Sequence, residues 1–527
     1  MRTPFRILRL LIVTCTVAAG LTARGQTIDR TTAPNTVDAG IAKSLVEEIG
    51  AGRGDAFTPD SSALIIARDP FRAIRRGRQL FQRKFTVAEG VGPRVGDGSG
   101  DVNTNLAIGA GLADSCAACH GRPRGAAGFG GDVATRPDSR DAPHLFGLGL
   151  KEMLADEITQ DLRATRDLAV VEARQQGRRV KKALLSKGIG YGSIVADASG
   201  RVDTSRVTGV DSDLRVRPFF AHGGTVSIRE FVAGALQNEM GLQAVDPELM
   251  AAAHGGRMVT PSGMVLDGAK DTVDGPPTDD PYADLDRDGV AGEVPTSLVD
   301  YLEFYLLNYF RPGTYESTEA TREGRKLFRQ SGCANCHIGD LQIQHDRRVA
   351  DVKTEFDPVR GNFNTVFATA TPLHGDIADG SGLPHLKPAS GAPFLVEGIY
   401  TDFKRHDVGP GFYERNYDGT LRKEFLTTPL WGVGTTPSYG HDGRSINLHE
   451  VILRHGGEAK AARDAYASLT SADQSQVVAF LNRLILFPPD DTASNLDPGD
   501  RNATGYPQSA HGSIKLTVLF NDPADPE

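Results

Sequence analysis

Cysteine is scarce in this chain: its 527 residues hold five, together with a single tryptophan. Five cysteines exclude a small scaffold stapled by many disulfides. One of them, Cys15, lies in an N-terminal leader, which leaves four for chemistry. Long apolar runs are also missing. The longest, Leu10 to Leu21, is too short to span a bilayer comfortably, and no later segment suggests an integral membrane anchor in the mature chain. Strong charge is the third absence. The formal balance of 58 basic and 67 acidic residues is −9, which argues against nucleic acid and against an anionic membrane surface as partners. No coiled-coil pattern or partner helix is evident.

The leader itself has the three regions of a signal peptide. Arg2, Arg6 and Arg9 form the basic end, and Ala23-Arg24-Gly25 places small residues at the −3 and −1 positions. Cleavage is expected before Gln26, with residues 1–25 removed and the mature protein periplasmic or secreted. A lipoprotein reading through Cys15 fits poorly, because Thr14 precedes it and the apolar run continues past it.

The other four cysteines are all in one pattern: Cys116-Ala117-Ala118-Cys119-His120 and Cys333-Ala334-Asn335-Cys336-His337. C-x-x-C-H is the attachment motif of a c-type haem. Thiols at i and i+3 add to the two vinyl groups of one porphyrin, and the adjacent histidine places a ring nitrogen on the iron. A zinc site or a pair of disulfides would use the cysteines and leave both histidines without a role. Two covalently bound haem c groups are therefore expected, held by Cys116, Cys119, His120, Cys333, Cys336 and His337.

Two internal repeats accompany the motifs. Gly77-Arg78-Gln79-Leu80-Phe81 precedes the first and Gly324-Arg325-Lys326-Leu327-Phe328 the second. Farther on, Phe219 to Gly224 followed by Ser227-Ile228-Arg229-Glu230 resembles Ser438 to Gly443 followed by Asn447-Leu448-His449-Glu450. Each is a tight turn at a histidine leading into a helix. The expected fold is mainly α: two cytochrome-c-like haem domains with long loops and minor β-structure. After the signal peptide, residues 26–65 read as a loosely ordered arm, 66–295 as the N-terminal haem domain, 296–490 as the C-terminal one and 491–527 as a tail with an edge strand near 513–520. Helices are expected over about 148–165 and 168–186, then a small β-excursion over 188–212. A Pro/Gly/Asp-rich linker runs from about 261 to 295. Residues 340–420 are mostly loop, and a helix near 472–486 closes the second unit. Within the linker, Asp284, Asp286, Asp288 and Gly289 match positions 1, 3, 5 and 6 of a calcium loop. Pro295 stands where the closing glutamate belongs, and a solvated turn would use the same residues.

With these residues in view the chain resembles bacterial di-haem cytochrome c peroxidases and MauG-type enzymes, and most closely the di-haem oxidoreductase family. The run from Thr428-Pro429-Leu430-Trp431 through His441-Asp442-Gly443-Arg444 to His455-Gly456-Gly457-Glu458-Ala459 carries the narrower resemblance. Phe219 to Gly241 and Arg140 to Leu150 are similar to the distal-pocket segment and to the segment after the first haem. The resemblance covers about 70–490 and fits 185–215 poorly. It implies His120 and His337 as proximal ligands, and His455, seven residues after Leu448, as the second ligand of the C-terminal haem. His441 and His406 are its rivals. It implies Glu239 as the distal carboxylate that moves a proton during peroxide cleavage, and calcium near the junction of the domains. Trp431, the single tryptophan, is either an oxidisable ring near a haem edge or a core aromatic. Phe231 stands where the peroxidases have glutamine. No histidine lies between His120 and Arg140, so the N-terminal haem is expected to be open, with His144 and Met240 as the residues that could close it. The expected enzyme is a di-haem peroxidase-like oxidoreductase acting on hydrogen peroxide or another small oxidant. Its electrons would come from a small donor protein, a cytochrome c or cupredoxin, through the C-terminal haem. A haem oxygenase of an apolar substrate, a MauG-like maturation enzyme and a non-enzymatic electron carrier are the alternatives.

Overall fold

A computed structural model of the chain describes residues 44–92, 113–120, 140–309, 311–314, 317–356, 366–373, 391–416 and 418–486. The expected signal peptide, the tail with its expected strand and the loop after His120 lie outside the described residues. Helix accounts for about 40% and strand for 16%, and the strands form small separate sheets, so the fold is mainly α.

The G-R-x-L-F repeat turns out to mark two helix crossings. Pro70–Gln82 begins with Pro70 at its first position and Asp69 accepting from the Arg72 N–H. It crosses Thr296–Leu307 so closely that a Cβ on Gly77 would sit 2.2 Å from the Tyr301 carbonyl oxygen. Glu319–Gln330, capped by Thr318, crosses Ser471–Asn482, and a Cβ on Gly324 would sit 1.9 Å from the Gln476 carbonyl oxygen. Only glycine lets two backbones approach this far. Leu80 and Phe81 in the first helix and Phe328 in the second then point into separate cores.

The first core joins Ile74, Leu80 and Phe81 to Tyr301, Leu302 and Tyr305 and to Val232, Leu236 and Met240, with Cys116 and Cys119 packed against it. The helix Thr296–Leu307, expected at the head of the C-terminal unit, thus completes the N-terminal one. The third core joins Phe328, Tyr400, Leu448, Val477 and Phe480, with Cys333 against it. Between them a second core is built on Leu148–Gln176. Two helices were expected here up to residue 186, but one 29-residue helix forms and stops at Gly177, whose φ is 61°. Val180–Ser186 alternates between buried and exposed positions. It pairs antiparallel with Ile189–Ala196, which pairs in turn with Val202–Val207. Trp431 is buried in this middle core with Leu150, Met153, Tyr191 and Ile399.

The expected loose arm is ordered where it is described. Leu45–Ile49 has a Ser44/Glu47 capping box and Ser62–Arg68 is capped by Ser61. Ile65 and Ile66 enter the first core and Leu45 and Ile49 pack against it, and polar contacts add to this: Ser62 Oγ donates to Asp300 at 2.5 Å and Arg53 pairs with Asp300 at 3.0 Å. Asp300 also meets Arg229, whose guanidinium is fully buried between Asp246, Asp300 and Glu303. No helix among the described residues is long and apolar enough to cross a membrane.

Candidate haem sites

The two C-x-x-C-H motifs fold into short turns of helix, Cys116–Cys119 and Cys333–Asn335. They border different cores, so the four cysteines do not converge on one zinc, and none is in a disulfide. Burial pushes the thiol of Cys116 up to about 12 and that of Cys333 up to about 11.

The histidines carry a more specific signal. His120 Nδ1 lies 2.7 Å from the Pro143 carbonyl oxygen and His337 Nδ1 lies 3.0 Å from that of Tyr400. His455 Nδ1 lies 2.7 Å from that of Val451. A carbonyl only accepts, so each Nδ1 carries the proton and each Nε2 keeps a lone pair for a metal. That arrangement is how a protein orients a ligating imidazole. Burial lowers the pKa of His120 and of His337 to about 4, and lowers that of His455 as well, so all three stay neutral and able to ligate at ordinary pH. His337 and His455 are close enough for the charge of one to depress the other. All three rings are half-buried.

The rivals of His455 are differently engaged. His406 has both nitrogens taken, by Glu458 and by Asp402, each at 2.9 Å. Burial opposes its charge, but Asp402, Cys336 and Glu458 outweigh burial and raise its pKa to about 11. His441 stacks on Phe425 at 4.1 Å between centroids, and its Nε2 is 3.9 Å from Glu414. Phe412 packs edge-on against His455 at 5.1 Å. Glu414 is buried and clasps Arg140 at 2.7 Å, which ties the segment after the first motif to this pocket. The His222 and His441 turns also match in structure. Phe219 bridges Thr225 as Tyr439 bridges Ser445, and the caps Ser227 and Asn447 accept from Glu230 and Glu450.

After the first of these helices, Ile228–Ala235, the chain loosens into a π turn, Leu236–Met240. Such turns recur at functional sites. Glu239 sits on it, half-buried, between Leu236 and Met240, which enter the core that Cys116 and Cys119 border. Met240 is 3% exposed and packs as part of that wall. Phe231 lies 5.8 Å from Phe219 and 5.4 Å from Phe220, so this side is lined by aromatic rings.

Trp431 links the two motifs. His144 Nε2 is 3.0 Å from the Trp431 carbonyl oxygen, and the indole rests on Gly147. The neighbouring Leu430 N–H donates to the Ile399 carbonyl at 3.0 Å, and the next residue, Tyr400, holds His337. Hydrogen bonds and short backbone spans therefore run from His120 through Pro143, His144, Trp431, Leu430, Ile399 and Tyr400 to His337. The sequence reading named His144 and Trp431 separately. The carbonyl partners were beyond it, because a backbone acceptor has no residue signature.

The Asp284, Asp286 and Asp288 carboxylates offer oxygens within 4.8 Å of one another. Asp284 also accepts the N–H groups of Asp288 at 3.1 Å and Gly289 at 3.0 Å, with Arg287 and Gly289 both at positive φ. Pro295 opens the helix Thr296–Leu307 rather than closing the loop.

Residues 366–484 match the family described as "Di-haem oxidoreductase, putative peroxidase", which is the family that the motifs resemble. The matched stretch holds His406, Trp431, His441 and His455, and neither C-x-x-C-H motif. No curated protein matches the chain. Among solved structures, a chain of Kuenenia stuttgartiensis hydrazine synthase, pressurised with 20 bar xenon, is similar at 16% identity and a TM-score of 0.22. That likeness covers 36% of this chain and 56% of the other, so the chain spans little more than half the length of that structure.

Proposed function

We propose that this chain is an exported di-haem c-type oxidoreductase that reduces hydrogen peroxide or uses it to oxidise a substrate. The observation that carries the reading is the shared state of His120, His337 and His455, each with Nδ1–H spent on a backbone carbonyl and Nε2 without a hydrogen-bond partner among the described residues. The family match over residues 366–484 supports it at the coarser level of a haem oxidoreductase.

Cys116 and Cys119 would hold one haem and Cys333 and Cys336 the other, with His120 and His337 as proximal ligands and His455 as second ligand of the latter. Bound haem supplies an iron centre that exchanges single electrons and reacts with peroxide. The protein's part is protons, access and connection. The Glu239 carboxylate, on a turn lined by aromatic and aliphatic side chains, would accept a proton from one peroxide oxygen and return it to the other. Phe219, which is buried, and Phe231 packed against it would keep water from that side. Trp431, the one oxidisable indole, would join the two sites electronically. A small electron-donor protein would meet the C-terminal unit, and the periplasm or the cell exterior would be the compartment. Asp284, Asp286 and Asp288 would hold calcium, with backbone oxygens and water completing its shell.

The test is electron paramagnetic resonance of the oxidised protein before and after one equivalent of peroxide. A high-spin signal beside a low-spin one, the former consumed by peroxide, is expected. Two low-spin signals indifferent to peroxide, before and after half-reduction, would make the protein an electron carrier. The cluster of Phe219, Phe220 and Phe231 favours one second reading, oxygenation of an apolar substrate. Oxygen uptake that depends on such a substrate, with weak peroxide turnover, would select it.

A further inference from the structure

The first turn of the helix Leu148–Gln176 carries the wrong charge for its place. Helix N-termini attract anions and repel cations, because their first N–H groups lack partners and the dipole is positive there. This helix starts at Gly147 with no side-chain cap and no acidic residue in its first turn, yet its fourth residue is Lys151. The Lys151 side chain is half-buried, with Nζ 5.5 Å from the centroid of the Phe219 ring. Among the described residues no carboxylate pairs with it. Burial lowers its pKa to about 8.

Its surroundings locate it. The Lys151 charge helps to depress His144, which also feels His120. Phe219 belongs to the aromatic cluster beside Glu239. The ammonium thus stands over the Phe219 ring and close enough to His144 to act on it, and His144 in turn feels His120 of the first motif. None of them neutralises it. Burial holds His144 neutral at about 4, its Nε2 is taken by Trp431, and its buried Nδ1 has no partner. A half-buried ammonium with no carboxylate partner among the described residues, set over an aromatic ring beside a helix N-terminus, suits an anion. One donor group of a single charge, with an aromatic face next to it, suits a carboxylate on an apolar body better than a phosphate, which would call for several donors.

We propose that Lys151 is the carboxylate-binding residue of the first pocket. The carboxylate belongs either to a propionate of the haem held at Cys116–His120 or to a small organic acid bound beside it. The proposal rests on the haem reading above for its location.

The experiment uses the full-length holoprotein as wild type, Lys151→Gln and Lys151→Arg. Haem content by mass and by pyridine haemochromogen comes first. A chain without covalent haem overturns the haem reading itself, and carboxylate binding is then read from the rise of Tm with benzoate. With haem in place, redox titration and a benzoate titration followed in the Soret band separate the sources. A propionate contact predicts a lower midpoint of the first haem in Lys151→Gln, because an uncompensated carboxylate favours ferric iron, and recovery in Lys151→Arg. A free acid predicts an unchanged midpoint and at least a tenfold loss of benzoate affinity. If neither quantity moves in Lys151→Gln, the proposal is overturned. If Lys151→Gln does not fold, Lys151→Arg decides. Wild-type midpoint and benzoate affinity in that variant support a cation-binding role, and loss of both overturns it.

Discussion

Gly324→Ala adds one methyl group at the tightest point of the second helix crossing. The new Cβ would lie 1.9 Å from the Gln476 carbonyl oxygen, 2.5 Å from its carbon and 3.0 Å from Phe480 Cβ. A carbon and a carbonyl oxygen settle at about 3.3 Å, so the helices must part by roughly 1 Å or more. The obstacle is backbone, which cannot swing away as a side chain can. Overpacking of a dense interior costs about 1–3 kcal/mol, and the upper end applies here. Replacing glycine within a helix returns about 1 kcal/mol. The net loss is about 2 kcal/mol, a fall in Tm of roughly 4–8 °C for a unit of this size. Gly77→Ala should behave alike, since its Cβ would meet the Tyr301 carbonyl oxygen at 2.2 Å. Gly234→Ala is the control. It is also helical, but its nearest neighbour is Asn238 Nδ2 at 4.0 Å, so it should be neutral or stabilising by about 0.5 kcal/mol. The assay is thermal melting of the holoproteins, with the low-spin signal as second readout. Phe328 lies 5.4 Å from Phe480 and 6.1 Å from His337, so parting the helices should broaden that signal. A Gly324→Ala protein that melts with wild type, while Gly234→Ala gains, would refute the close-approach argument.

Three further outcomes are expected. Burial raises Glu230 from 4.5 to about 7, so the folded state holds a proton that the unfolded chain gives up. Stability from this group is intact below pH 4.5 and is lost as pH rises towards 7, by about 3 kcal/mol at most. Glu230→Gln escapes that loss, so its Tm advantage over wild type should grow between pH 5 and 8, and a pH-independent difference would show that the group does not titrate there. His455→Ala should remove the low-spin signal of the C-terminal haem, and an unchanged spectrum would move the ligand elsewhere, to His441 first. Millimolar calcium should raise the Tm of wild type and not that of Asp286→Asn, and equal shifts would return the Asp284–Asp288 loop to an ordinary turn.

What could be read in advance divides along physical lines. The C-x-x-C-H motifs and the two turn-helix repeats were legible because their chemistry depends on local spacing: Ser227 and Asn447 cap as their positions require. The G-R-x-L-F repeat was seen, but its meaning was not, since Gly77 and Gly324 matter only through helices far away in sequence. The same long range hid the true place of Thr296–Leu307, whose continuous apolar face reads equally well as the start of one unit or the end of another. The break at residue 177 was missed because the basic stretch after it resembles a helix in composition, while Gly177 and the alternation over 180–186 make a strand. The supposed arm is ordered by Ile65 and Ile66, a short apolar run that enters the first core, and by the long-range polar contacts of Ser62 and Arg53 with Asp300, which local sequence does not announce. Of the candidate site, the imidazoles could be named from sequence, and the carbonyls that set their tautomers could not.

The Trp431 carbonyl has a consequence for the order of assembly. His144 belongs to the half of the chain that is made first, and the oxygen it binds belongs to a segment that arrives 287 residues later. Arg140 waits in the same way for Glu414. The contacts that hold His144 and Arg140 can therefore form only once the segment carrying Glu414 and Trp431 has been made, and until then the first motif stands without them. A chain truncated before Glu414 would lack both contacts for good.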